Sequence, residues 1–217
     1  AKGLDSMNIL DAYNEWSSTY DSDSNRTRDL DERVLREHFS GFSSGIALEI
    51  GCGTGKNTNL LSLKCAQVLA LDFSEPMLRN AQKKVTASNT LLCLADLTHP
   101  WPAPMASVDW VVCDLMLEHI ADLSSIFSEA FRCLKPGGRF LISELHPFRQ
   151  YQGTKANFQT KSNHIEIQAF VHHISDFHSA GRSTGFALED LQEWWHPDDQ
   201  DKPPRIIAFR FTKPSQA

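Results

Sequence analysis

Residues 46 to 58 constrain this 217-residue chain more than any other stretch. An apolar, strand-like run, Ile46-Ala47-Leu48-Glu49-Ile50, empties into Gly51-Cys52-Gly53-Thr54-Gly55-Lys56-Asn57, and a helix is predicted over Thr58 to Cys65. Glycine has no Cβ and takes positive φ without strain, so a turn with glycine at every second position lets a ligand lie against bare backbone at a helix N-terminus. A dinucleotide fingerprint would need its third glycine immediately after the two-residue x-x spacer. Here that place is Lys56 and the glycine comes one residue early, at Gly55. A Walker loop is excluded too, because no Gly-Lys-Ser/Thr closes the segment. Glu49 would repel a phosphate and suits a ligand carrying an ammonium or sulfonium charge, which points to S-adenosylmethionine rather than NAD or ATP.

Three further apolar runs end in acids. Val68-Leu69-Ala70-Leu71-Asp72 puts Asp72 21 residues after Gly51, where a carboxylate can accept hydrogen bonds from both ribose hydroxyls. Leu91-Leu92-Cys93-Leu94-Ala95-Asp96-Leu97 ends in Asp96, which could also simply open the turn before Pro100. Val108-Asp109-Trp110-Val111-Val112-Cys113-Asp114 leads into Leu115-Met116-Leu117-Glu118-His119-Ile120. Leu134-Lys135-Pro136-Gly137-Gly138-Arg139-Phe140-Leu141-Ile142-Ser143-Glu144 follows a helical face of Ile126, Phe127, Ala130, Phe131 and Leu134, and its Pro-Gly-Gly ends that helix.

With these motifs in this order, the chain resembles the class I S-adenosylmethionine-dependent methyltransferases of small-molecule type, from about Tyr13 to the C-terminus. The resemblance implies S-adenosyl-L-methionine as cofactor and S-adenosyl-L-homocysteine as product. It implies a cofactor set of Glu49, Gly51, Cys52, Gly53, Gly55, Asn57, Asp72, Phe73, Met77, Asp96, Leu97, Asp114, Leu115 and Met116, with Tyr13 and Tyr20 from the N-terminal segment. Asp96 and Leu97 would meet the adenine.

Strands near 46–50, 67–71, 90–94, 108–113 and 139–145, separated by helical patterns, read as an α/β doubly wound, mostly parallel sheet. The resemblance completes it to a seven-stranded Rossmann-like methyltransferase fold with an antiparallel last strand, for which Phe186 to Glu193 and Arg205 to Thr212 are the candidates. Residues 1–217 are expected to form a single domain. An N-terminal lid is expected at about 7–40 and an acceptor-region insertion at about 146–173, where Ile165-Ile167-Ala169-Val171 alternates like an added strand. Acceptor specificity should live in these two pieces.

A net charge of −6 with no Lys/Arg cluster disfavours nucleic acid as a partner. No apolar run approaches the ~20 residues of a membrane span and no signal peptide opens the chain, so no membrane association is expected and the location is expected to be cytoplasmic. The five cysteines, Cys52, Cys65, Cys93, Cys113 and Cys133, show no C-x-x-C pair and read as reduced, buried thiols. His172 and His173, as strand neighbours, would point to opposite faces, and no metal is expected.

The expected reaction is in-line displacement of the methyl group to nitrogen or oxygen of a small-molecule acceptor. Carbon methylation of a quinone-like or polyketide-like ring, or cofactor binding without catalysis, remain alternatives. The place after the fourth strand reads Asp114-Leu115-Met116-Leu117 rather than Asn/Asp-Pro-Pro-Tyr, which argues against base methylation of DNA. If a general base takes part, His119, His146 and His173 are the candidates, since imidazole titrates near neutrality. Each reads equally as a solvated or core histidine. Tyr20 offers an aromatic face or hydroxyl near the sulfonium, with Trp16 beside it.

Overall fold

Strands covered on both faces need apolar residues at every position, and β4 shows this with only Asp109 and Asp114 as polar interruptions. In the computed structural model, which describes residues 8–42, 44–159 and 164–215, the strands are β1 (Ile46–Ile50), β2 (Gln67–Asp72), β3 (Thr90–Leu94), β4 (Val108–Asp114), β5 (Leu134–Leu145), β6 (Asn157–Gln159), β7 (His164–Glu166), β8 (Ala187–Trp194) and β9 (Ile206–Thr212). The helices are α1 (Ile9–Trp16), α2 (Arg26–His38), α3 (Lys56–Lys64), α4 (Glu75–Lys84), α5 (Leu123–Cys133), α6 (Pro147–Tyr151) and α7 (Ile174–Thr184). Seven strands join in the order β3-β2-β1-β4-β5-β9-β8, and β6 pairs only with β7. All neighbours from β3 to β5 are parallel, whereas β9 runs antiparallel to both β5 and β8. The doubly wound sheet with an antiparallel last strand is therefore present.

Side-chain alternation divides the core into two layers. Trp110, Val112 and Leu141 face Leu35 and Phe39 of α2 and Leu60 and Leu61 of α3. Val111, Cys113, Phe140 and Ile142 face Ile126, Phe127 and Ala130 of α5 and Phe177 of α7. The chain order reverses between β1 and β4, and the ends of these two strands part there, which opens a crevice at the carboxyl edge of the sheet.

Several boundaries differ from the expectation. α3 begins at Lys56 rather than Thr58, because Gly55, with φ +81°, is its N-cap. β5 begins at Leu134 rather than residue 139: the helix stops at Cys133, and Leu134 pairs with Val108 before a bulge. Of the alternation from Ile165 to Val171, only His164–Glu166 forms a strand, and the backbone from 167 to 173 is irregular. α2 is no part of a cover: its Leu30, Val34 and Leu35 are fully buried, and Leu30 and Val34 pack on Ile206 and Ala208 of β9. α1 and the loop after it lie over the crevice, with Asn80 Nδ2 donating to Ser17 O at 2.8 Å and Ser74 Oγ donating to Asn14 Oδ1 at 2.7 Å, while the first turns of α2 border it from the side through Arg28 and Asp31.

The layer between α7 and β9 leaves no slack at Gly181, where a Cβ would stand 2.5 Å from Phe211 Cε1. Phe211 is wedged among Phe127, Phe186 and Phe209 and cannot swing away. Alanine gains about 1 kcal/mol of helix propensity over glycine, but overpacking a rigid core costs about 1–3 kcal/mol. Gly181→Ala is expected to lower the urea midpoint at unchanged slope.

Candidate active site

Three cavities adjoin at the carboxyl edge. One of about 220 Å³ is lined by Gly51, Gly53, Asp72, Phe73, Met77, Asp96, Leu97, Asp114, Leu115, Met116 and His119, with Ile9, Tyr13 and Tyr20 above. A second, of about 180 Å³, is lined by Glu49, Gly51, Cys52, Gly53, Asn57, Asp114 and Leu115 below and by Tyr20, Asp21, Arg28 and Asp31 from the N-terminal segment. A third, of about 270 Å³, lies between that segment (Tyr13, Trp16, Tyr20, Arg28) and the insertion (Thr154 to Asn157), with Glu118 and Leu145 at its base. Tyr20 and Leu115 line all three.

The glycines of the loop do different things. At Gly51, φ +75°, a Cβ would lie 2.8 Å from Met116 Cγ, so the β1 and β4 turns pack backbone against side chain. At Gly53, φ +54°, a Cβ would meet nothing within 4 Å, so its bare face opens into the cavities. Gly55 lines none of the three cavities, and a Cβ there would press on Val85 Cγ2 at 2.7 Å, so it seats α3 against the end of α4.

Asp72 is 4% exposed and anchors this loop, its Oδ2 accepting from Gly53 N–H and its Oδ1 from Ser74 N–H, both at 2.8 Å. A carboxylate offers about four acceptor directions, so two remain for a vicinal diol. Asp96 borders the same cavity but is exposed, and its Oδ1 accepts from Thr98 N–H at 2.9 Å and Thr98 Oγ at 2.7 Å, which pulls its carboxyl below the usual range. The turn it opens and the cavity it borders coexist.

A dense group of carboxyls lies beneath. Asn57 Nδ2 bridges Asp31 Oδ2 at 2.8 Å and Asp114 Oδ2 at 2.9 Å, and Ser143 Oγ donates to Asp31 Oδ1 at 2.5 Å. Glu49 accepts from Thr58 Oγ at 2.6 Å. Glu144 Oε1 accepts from the N–H groups of Met116 at 2.9 Å and Leu117 at 2.7 Å, fixing a turn in which Leu115 holds φ +51°. That is a strained value for a leucine, placed where all three cavities meet. Burial pushes Asp31 up to about 6, Glu49 and Glu144 up to about 8 and Glu118 up to about 7, and with Asp31 beside it raises Asp114 well above the carboxylate range. Asp114 Oδ1 and Asn57 Oδ1 are buried without a hydrogen-bond partner. An unpartnered buried acceptor costs ~1–3 kcal/mol, and a cation in the adjoining cavity would relieve it. The open face of Gly53, the acceptor directions left on Asp72 and this group of buried acceptors together fit the nucleoside, sulfonium and ammonium of S-adenosylmethionine.

Of the three histidines, only His119 borders the site. Its Nε2 is 2.7 Å from Tyr13 Oη and its Nδ1 is 3.0 Å from Gln168 O, and burial lowers its proton affinity. His146 and His173, the other two candidates, line none of these three cavities. His146 Nδ1 accepts from Phe148 N–H at 3.1 Å as the cap of α6, and its Nε2 meets Glu193 Oε1 at 2.9 Å. His173 caps α7, with Nδ1 2.6 Å from Tyr151 Oη. Tyr20 lies under the Arg28 guanidinium at 4.1 Å and meets Trp16 edge-on at 4.7 Å. All five cysteines are free, and burial drives Cys52 and Cys113 upward, away from reactivity.

Arg28, Asp31, Glu118 and Glu144 also belong to the site. Glu118 adjoins His119 in sequence, which is a local signal. The other three are brought in by α2 and β5, and nothing in their neighbours' spacing marks them.

A methyltransferase-domain family matches residues 48–142. An uncharacterized methyltransferase of Emericella nidulans is 26% identical over 227 aligned residues, covering 87% of this chain and 79% of that protein. A malonyl-[acyl-carrier protein] O-methyltransferase of Yersinia pestis is 33% identical over 144 residues, 65% of this chain and 52% of that protein, so the chain spans about half of that relative's length. A solved S-adenosylmethionine-dependent methyltransferase structure from Mesorhizobium loti superposes with a TM-score of 0.69 at 20% identity, covering 83% of this chain and 96% of that one. The last comparison bears on the fold.

Asp72→Ala removes charge-assisted acceptors worth about 1.5–3 kcal/mol each, and calorimetry is expected to show at least a roughly tenfold weaker S-adenosylmethionine Kd. Asp72→Asn, which keeps one acceptor for the loop, should lose less.

A second expectation concerns pH. A carboxyl whose value is raised by folding holds more protons folded than unfolded, so its stabilising contribution is full below the unfolded value and is lost as pH rises through the raised one. For Glu49 and Glu144 the window runs from 4.5 to about 8. The melting temperature of the ligand-free protein should fall across the upper part of that window, less steeply in Glu49→Gln. Cofactor binding near neutrality should release protons, measured as a dependence of the calorimetric enthalpy on buffer ionisation.

Proposed function

This chain belongs to the class I S-adenosylmethionine-dependent methyltransferases, and on that premise we propose that it transfers the methyl group to an oxygen or nitrogen of a small molecule held between the N-terminal segment and the insertion. S-adenosylmethionine is the cofactor, and when bound it supplies an electrophilic methyl on a sulfonium. The observation that carries the reading is the third cavity. It adjoins the cofactor cavities at Tyr20 and Leu115, and about 270 Å³ suits a small molecule rather than a polymer.

The chain's own work is placement. Asp72 and the Gly53 face orient the nucleoside, the Asp114–Asn57–Asp31 group offers negative charge to the ammonium and sulfonium, and Tyr13, Trp16 and Tyr20 wall the acceptor. Holding the acceptor atom in line at near-attack distance can supply roughly 7–11 kcal/mol of the barrier, so a strong base is not required for activity. We take α1 and the following loop as a lid. Its ties to the loop and helix beneath are mainly polar, with Thr54 Oγ donating to Asp21 Oδ1 at 2.7 Å, Lys84 paired to Asp21 and Asn80 Nδ2 donating to Ser17 O at 2.8 Å, so it can lift without exposing the main core. The oxygen acceptor named for the Yersinia relative supports an O-methylation reading at the same site.

Calorimetry should show S-adenosylmethionine and S-adenosylhomocysteine binding and NAD not binding. Incubation with methyl-labelled cofactor and panels of phenols, carboxylic acid thioesters and amines should label a low-molecular-weight product. Binding without label in any panel would favour a sensor, and NAD binding alone would overturn the assignment.

A further inference from the structure

Tyr13 stands at the boundary between the nucleoside cavity and the acceptor cavity and lines both. Its hydroxyl is 2.7 Å from His119 Nε2, while His119 Nδ1 is 3.0 Å from the carbonyl oxygen of Gln168. A carbonyl can only accept, so Nδ1 carries the proton of the neutral ring and Nε2 offers a lone pair. Tyr13 O–H must therefore donate to Nε2, and what its oxygen still offers to the cavities is acceptor capacity. Behind the pair, Glu118 Oε1 lies 3.8 Å from Nε2, and Glu118 Oε2 accepts from Gln150 Nε2 at 3.3 Å. The side chains of His119 and Glu118 are 7% and 8% exposed, so a proton arriving there is not shared with bulk water. The other ionisable groups that reach Tyr13 are Tyr20, Asp72 and Glu144, all of which favour a positive charge forming nearby over a negative one.

We propose that Tyr13 Oη receives the acceptor's proton while passing its own to His119, and that the acceptor is accordingly an aromatic ring bearing a hydroxyl. The inference rests on the methyl-transfer reading above and deepens it. As the acceptor oxygen bonds to the methyl carbon, the carbon–sulfur bond breaks with its electron pair left on sulfur. The acceptor O–H bond breaks with its pair left on oxygen, its proton moves to Tyr13 Oη, and the Tyr13 proton moves to His119 Nε2. The resulting imidazolium keeps its Nδ1–H on Gln168 and is balanced by Glu118. Tyr13 is thus the catalytic residue, and His119 acts through it. A carboxylate acceptor has no proton to release and gains nothing from an oxygen that can only accept. The ring surface of the cavity matches the choice: Tyr13 and Trp16 are tilted at 5.7 Å and Trp16 and Tyr20 meet edge-on at 4.7 Å, leaving aromatic faces for a flat acceptor.

The test uses the whole chain loaded with S-adenosylhomocysteine and 4-nitrocatechol, whose ionised form absorbs visibly, at a pH where the free probe is mostly neutral. The wild type should hold the probe as its phenolate. Tyr13→Phe and His119→Gln, each held saturated with S-adenosylhomocysteine at a concentration set from its own calorimetric Kd, should hold it neutral. His119→Gln retains an acceptor for Tyr13 but cannot take a proton, so it separates relay from packing. With methyl-labelled cofactor, turnover of the same probe should fall about 100-fold or more in both variants. Equal ionisation in all three proteins, or loaded wild type that takes up no probe or holds it neutral, overturns the relay alone. Wild type that does not bind S-adenosylhomocysteine overturns the relay together with the methyl-transfer reading.

Discussion

The contact on which the site depends is the seating of Met116 against Gly51. A Cβ at Gly51 would lie 2.8 Å from Met116 Cγ, so the two strand ends that diverge at the switch of chain order are held at a distance only a glycine permits. Met116 is held in turn by Glu144, which takes the N–H groups of residues 116 and 117 on one oxygen. This chain of contacts, from β5 through the β4 turn to the β1 loop, leaves Gly53 projecting its bare face and Leu115 strained at the meeting point of the cavities. Strain of that kind, about 1–3 kcal/mol, persists only where surrounding contacts leave no alternative.

The sheet was legible because its signals are local. Continuous apolar runs ending in Asp72, Asp96 and Asp114 each report their own strand, and the glycine spacing reports its own turn. Gly55 misled because spacing alone cannot separate a glycine that faces a ligand from one that faces Val85. The histidines show the same limit more sharply. In sequence His119, His146 and His173 look alike, each at a strand or helix end. What separates His119 is Tyr13, 106 residues away, and the Gln168 carbonyl, 49 away. His146 and His173 instead stand at helix starts, His146 accepting from Phe148 N–H through its ring as any N-cap acceptor can, and His173 donating its backbone N–H to Asp176. Asp31 and Arg28 were hidden in a polar stretch because α2, which carries them, is fixed by packing on β9 rather than by any pattern within the stretch.

Two cores divide the labour. The layers on either side of the sheet are large and aromatic, and the cofactor contacts hang from them. The third cavity is bordered by a small separate cluster whose Trp16 and Ala156 line it and in which Ala12 and Trp16 of α1 meet Ile167. Because this cluster shares no residue with the main layers, changes in it alter the acceptor wall without loosening the strand ends. Its backbone is tied down by Phe170 N–H on Glu118 O at 2.7 Å and His172 Nε2 on Ile120 O at 2.7 Å, so the insertion is anchored to the same short segment that carries His119. The wall of the third cavity and the Tyr13–His119 pair are thereby positioned by one piece of chain.

The carboxyls beneath the cavities make cofactor binding and folding two sides of one balance. Burying five acids (Asp31, Glu49, Asp114, Glu118 and Glu144) within one site, with Asn57, Ser143, Thr58, Gln150 and two backbone N–H groups as donors to them, raises their proton affinities rather than leaving unpaired charges. The ligand-free fold therefore stores protons near neutrality, and a cation entering the adjoining cavity exchanges for them. A sulfonium cofactor brings one more positive charge than its thioether product, so the same acids that draw in the donor hold the spent product less firmly. Product release is then helped by the charge lost in the reaction itself, and no large movement of the sheet is needed to achieve it.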